Sequence, residues 1–132
     1  SISFPYRYKE TSFGRITDPI VPLPVHTRFG WRLFNFIVDS GADVAMVPRF
    51  MADLVGLNAR KLVKHRSYGI EGRGLTVFRG SFRICIGKRE LKIPCLFSSQ
   101  EKTPFLLGRA GLFDHFTVIF DNRKDRILFR PL

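Results

Sequence analysis

The chain has 132 residues, of which 45% are hydrophobic and 14 are Phe, enough for one domain with a real core and too little for two. Lys and Arg number 22 against 11 Asp and Glu, a formal charge of +11. No apolar run is long enough to cross a membrane. The basic residues are scattered, with a mild cluster from Arg60 to Arg66. They come without a recognition-helix, zinc-finger or RNA-recognition signature, so they read as solvated surface before they read as a nucleic-acid interface.

Taken in order, Ser1 to Tyr8 is aromatic-rich and alternating, the pattern of an edge or domain-spanning strand. Residues 1–20 as a whole read as an N-terminal extension or strand. Thr11-Ser12-Phe13-Gly14 supplies turn chemistry. Pro19 to Val25 holds too many prolines for a central strand and reads as an edge segment leading into His26 and Thr27. Phe29-Gly30 then turns the chain into Trp31 to Val38, an apolar run that delivers Asp39 into the small-residue turn Ser40-Gly41-Ala42-Asp43. A carboxylate at the end of a buried strand is rigidly held and partly out of water. With a like charge nearby, those are the conditions that make an Asp a general acid or base. Gly41 lets the backbone bend, and Ser40 offers a hydroxyl to a neighbouring loop. The same letters also serve as an ordinary strand-ending turn.

Pro48 near the start and Gly56 past the end predict a short helix with Phe50, Met51, Leu54 and Val55 on its apolar face. Gly69, Gly72 and Gly74 crowd the stretch from Arg66 to Gly80, which reads as a flexible hairpin tip. A phosphate cradle is disfavoured because no Gly-Lys-Ser/Thr follows and no helix opens there. Ser81 to Ile86 and Glu90 to Phe97 alternate around Gly87, a second hairpin. Cys85 and Cys95 sit in it too far out of register to pair. Two free thiols and no signal-like segment suggest a reducing, cytoplasmic compartment. His26, His65 and His115 form no ligand grouping, so no metal is expected. After a polar loop, Pro104 to Gly108 is a short buried strand, Gly111 to Phe116 a short helix, and Thr117 to Phe120 with Ile127 to Phe129 a closing hairpin.

Asp39-Ser40-Gly41-Ala42 resembles the Asp-Thr/Ser-Gly-Ala signature of retropepsins, the retrovirus-type aspartic proteases, and Leu106-Leu107-Gly108-Arg109 resembles the paired apolar residues, Gly and Arg that follow in that family. The resemblance covers most of the chain beyond its first twenty or so residues. It implies an all-β acid-protease barrel over residues 1–132, with a glycine-rich flap hairpin and one or two short helices. Asp39 would be catalytic, supported by Ser40, Gly41 and Ala42. Gly69, Ile70, Glu71, Gly72, Arg73 and Gly74 would form the flap over an extended polypeptide substrate, with Leu106, Leu107 and Gly108 as floor. Glu71 and Arg73 depart from the more apolar flap of the viral enzymes.

Arg109, in an otherwise apolar motif, is expected to pair with Asp43. The chain carries a single Asp-Ser-Gly where the chemistry needs two carboxylates, so the second must come from another copy, in a two-fold homodimer with no cofactor. The terminal strands would pair either across that dimer or within the chain alone. Two other readings remain at this level, a retropepsin-like module that binds peptides or dimerises without cutting, and a basic nucleic-acid-binding β domain.

Overall fold

In the computed structural model, which describes residues 1–68 and 74–132, the chain is built almost wholly from strands. They are β1 (Ile2–Pro5), β2 (Arg7–Thr11), β3 (Gly14–Asp18), β4 (Ile20–Thr27), β5 (Gly30–Val38) and β6 (Ala45–Pro48). A single-turn helix, α1 (Phe50–Leu54), precedes β7 (Val63–Tyr68), β8 (Gly74–Ile86), β9 (Arg89–Ser98), β10 (Leu106–Leu107), β11 (Phe116–Asp121) and β12 (Arg126–Pro131).

Seven strands form one sheet in the order β4-β5-β10-β6-β9-β8-β7, and a bridge from Val25 of β4 to Ile84 of β8 folds it back on itself. The cause is visible in β4, where period two puts Val21, Leu23 and Val25 inside and Pro22 and Pro24 on the outer face. The prolines keep this strand at an edge for all but that one bridge. Phe36, Ile84, Ile93, Phe97 and Leu107 are fully buried in the core, where Phe36 stacks on Phe82 with ring centroids 5.9 Å apart.

Two helix expectations change. In α1 it is Met51 and Ala52 that are buried, while Phe50, expected on the apolar face, is 55% exposed. Five residues give only one turn, and Leu54 with the following Val55 packs against the core as expected, so Phe50 alone of the expected face turns outward. Gly111 to His115, expected with Phe116 as a short helix, is a run of turns, and Phe116 already opens β11. Gly111 has φ +80°, outside the helical range, and the amides of Leu112 and Phe113 both fold back on the Arg109 carbonyl.

Residues 1–20, read as an N-terminal extension or strand, form β1, β2 and β3 before β4 begins, and β1 lies at the edge of its sheet. β1 pairs antiparallel with β12, and β12 with β11, closing a three-stranded sheet within the chain. Phe129 anchors it, with Phe4 and Phe116 edge-on at 5.7 and 6.0 Å. β2 and β3 form a separate two-stranded hairpin, almost wholly exposed. In the β8–β9 hairpin Cys85 lies opposite Glu90 and Cys95 opposite Gly80, so both thiols are free. Burial pushes the Cys95 thiol far above its ordinary pKa.

Candidate active site

β5 ends at Val38, and the next amide, that of Asp39, donates to the Leu107 carbonyl at 3.0 Å. The short strand β10 runs parallel beside β5, with Leu106 opposite Ile37 and Leu107 opposite Val38. On the other side, the amide of Val38 donates to the Pro19 carbonyl at 3.0 Å. Asp39 is therefore held from both flanks by backbone, the stiffest support available. Its side chain is half-buried and enters no ion pair among the described residues.

The turn beyond it is fixed by its small residues. The Gly41 amide donates to Asp39 Oδ1 at 2.9 Å, and a Cβ on Gly41 would stand 3.2 Å from that same oxygen. Glycine thus brings a donor to the carboxylate where any other residue would crowd it. Gly108 is the tighter requirement. A Cβ there would lie 2.5 Å from the Val44 carbonyl oxygen and 2.9 Å from that of Ala42. Both neighbours are backbone, so neither yields. The amides of Arg109 and Ala110 then bond the carbonyls of Ala42 and Asp43, each at 2.9 Å.

Arg109 locks the crossing from the outside. Nη1 donates to the Ser40 carbonyl at 2.7 Å and Nη2 to Asp43 Oδ1. The two side chains meet as expected, but they are 46% and 88% exposed in this chain, so the pair lies on the surface. An exposed pair of this kind contributes about 0 to 1 kcal/mol, not the several of a buried one. Its value here is positional, since one guanidinium ties both ends of the Asp39 turn to β10.

No protein-family model and no curated protein matches the sequence. Among solved structures, the chain is similar to a retropepsin-like aspartic protease from Rickettsia conorii, at TM-score 0.63 and 19% identity over 96% of this chain and 95% of that one. It is similar to the retroviral protease-like domain of Ddi1 from Leishmania major, at TM-score 0.61 and 17% identity over 88% and 96%. EIAV protease, in an inhibitor complex, gives TM-score 0.58 and 21% identity over 74% and 86%. The chain has the retropepsin fold.

Within that retropepsin fold, Asp39, Ser40, Gly41, Ala42 and Asp43 come together with Leu106, Leu107, Gly108 and Arg109. Of the hairpin expected as a flap, β7 and β8 pair from Val63 opposite Arg79 to Tyr68 opposite Gly74. Of the six expected flap residues, Gly74 opens β8, and residues 69–73 lie outside the described residues. A groove of about 730 Å³ beside α1 is lined by Arg28, Arg49, Phe50, Leu57 and Arg60 among others, and none of the Asp39 turn lines it. Among the described residues no three His, Cys, Asp or Glu side chains gather to hold a metal, and no helix is long and apolar enough to cross a membrane.

Sequence reasoning missed two supports of the site, the Pro19 carbonyl and the Asn35 side chain, which accepts from Arg7 Nη2 at 3.1 Å. Pro19 carried no signal, because what it offers is a backbone oxygen.

Proposed function

We propose that the chain is an aspartic endopeptidase, residues 1–132 forming one domain, whose active site is completed by a second copy. The observation that carries this reading is the Asp39 carboxylate, braced by the Gly41 amide at the end of β5, present once per chain. Across a two-fold axis the two Asp39 carboxylates would hold one water and share one proton, since like charges in contact do not both ionise readily. That shared proton is the general behaviour of aspartic-protease dyads as a class. The ionised Asp39 takes a proton from the water as its oxygen attacks the peptide carbonyl carbon, and the protonated Asp39 gives its proton to the carbonyl oxygen. The tetrahedral diol then collapses as a proton passes to the leaving nitrogen and the C–N bond breaks. Ser40 hydroxyls would bond across the axis, Gly41 would meet the substrate backbone, and the hairpin of β7 and β8 would close over it.

A route to the dimer is written in β11. The Leu132 amide donates to the His115 carbonyl at 3.0 Å, which sets the phase of the β11–β12 ladder. By alternation Thr117, Ile119 and Asp121 bond β12, while Val118 and Phe120 turn their N–H and C=O groups to the other edge, which is unpaired among the described residues. Phe116 to Asp121 contains no Lys, Arg or Pro to guard that edge, and Phe120 is 42% exposed. Antiparallel pairing of two β11 edges about Ile119 sets each Val118 opposite the Phe120 of the other copy, a favourable aromatic and β-branched contact.

Cleavage of a peptide library by the wild-type chain, with none by Asp39→Asn of unchanged circular dichroism, tests the proposal. Specific activity rises with concentration until the dimer saturates, and excess Asp39→Asn suppresses the wild type by forming mixed dimers. Ile119→Cys gives a covalent dimer on oxidation that the wild type does not. If Asp39→Asn keeps full cleavage, or a monomeric form cuts as fast as the dimer, the assignment fails.

A further inference from the structure

The hairpin of β2 and β3 has no role in the site as described so far. Its residues are exposed on both faces, and its tip residue Phe13 is 93% exposed. Tyr8 and Ile16 are each 40% exposed along its length. Among the described residues neither outer edge of this two-stranded sheet is paired. A lone two-stranded hairpin is marginal in water and gains independent stability from a third strand or a packed face. Five residues per strand at about 3.4 Å each make an arm roughly 17 Å long.

The root of the arm fixes where that edge is offered. β3 ends at Asp18, and the next residue, Pro19, accepts the amide of Val38, the residue before Asp39. On the other strand, Arg7 bonds Asn35 of β5. Both strands of the arm are thus tied at its root to β5, the strand that carries the candidate catalytic carboxylate.

We propose that the arm is an exosite for the polypeptide substrate, adding the segment that flanks the scissile bond as a third strand, with Phe13 covering an apolar side chain at its far end. This rests on the endopeptidase reading and extends it. Recognition is by main-chain hydrogen bonds, so it selects for an extended, unfolded flank and not for one residue type. A second copy of the chain on the same edge is the competing occupant, and the test separates the two.

Two peptides are compared that share one scissile core of about eight residues, one of them bearing long flanks on both sides. The variant lacks residues 8–17, with Arg7 joined to Asp18 through a Gly-Gly turn. The expected result is that the ratio of kcat/KM for the long peptide over the short one falls tenfold or more, carried by KM. Phe13→Ser, which leaves the fold undisturbed because the side chain is free, lowers the same ratio by a smaller factor. In Asp39→Asn, which holds substrate uncut, the amides of residues 7–18 gain hydrogen-exchange protection when the long peptide is added and not when the short one is. An unaltered ratio, or no added protection, overturns the exosite. Protection that depends on protein concentration and not on peptide assigns the edge to a second copy and equally overturns it. Failure of wild-type cleavage with arm protection intact would fault the endopeptidase reading alone.

Discussion

Two hairpins in this chain turn on the same four-residue pattern and meet opposite fates. Thr11-Ser12-Phe13-Gly14 joins β2 to β3, and Thr27-Arg28-Phe29-Gly30 joins β4 to β5. In each, the Thr hydroxyl donates to the Gly carbonyl, at 2.9 and 2.6 Å, and accepts from the Phe amide, at 3.0 and 3.1 Å. The glycines have φ of +94° and +95°. Yet β4–β5 buries Val21, Leu23, Val25, Phe36 and Val38, whereas β2–β3 buries nothing. The turn is thus written locally, while burial is decided by the strands. Ile20 to Thr27 alternates apolar residues on one face, and Arg7-Tyr8-Lys9-Glu10-Thr11 offers no such face.

The sharpest way to break this comparison is to remove a Phe from each hairpin. Phe36→Ala should cost about 3 to 5 kcal/mol, read from the denaturation midpoint, and Phe13→Ala less than about 0.5. Equal losses would mean that the arm is part of the cooperative core. Next come the glycines. Neither Gly14 nor Gly30 has a neighbour closer than 3.6 Å to an added Cβ, so Ala at either is a matter of backbone alone. Gly30→Ala should destabilise the whole fold by about 1 to 2 kcal/mol. Gly14→Ala carries the same strain but should speed amide exchange only in residues 7–18, with the main melting transition unmoved.

The hydroxyls follow. Thr27 is 2% exposed, and Thr27→Val leaves the Phe29 amide without its acceptor, for a loss of about 1 kcal/mol. Thr11→Val, in the open, should cost a few tenths as measured by the same midpoint. The smallest effect is in alkali. The Tyr8 hydroxyl is raised above its ordinary pKa, first by its hydrogen bond to Asp125, then by burial and the Asp125 charge, against a lowering by Arg15. A group with a raised folded pKa contributes stability that is complete below its unfolded value of 10.0 and lost as pH rises through the folded one. The arm should therefore loosen from the β11–β12 turn above pH 10, before the barrel responds. Tyr8→Phe, which has no proton to lose, should remove that pH dependence in residue-resolved exchange.

The strand that presents Asp39 was legible because an apolar run entering Asp-Ser-Gly leaves few alternatives. The partnership of Arg109 with Asp43 was legible too, from charge, but not its exposure, since burial depends on what else covers the pair. The run from Gly111 to Phe116 misled because its apolar spacing suits one helical turn, while the positive φ at Gly111 is invisible in the letters. The arm was the hardest part. A hairpin without a buried face has no periodicity to betray it, and only its turn residues could be read.

The crossing at Gly108 also has a consequence in time. The bonds from Arg109 to Ser40 and Asp43 span 69 and 66 residues of sequence, whereas β4 meets β5 across a two-residue turn. Contacts so far apart along the chain close late, after local hairpins have formed. On a ribosome, the strand bearing Asp39 would emerge and pair with β4 long before β10 exists. Until residues 106–109 arrive, the carboxylate has no floor beneath it and no guanidinium tying down its turn. The Asp39 turn thus stays untied while the chain is being made, because residues 106–109 supply the lock.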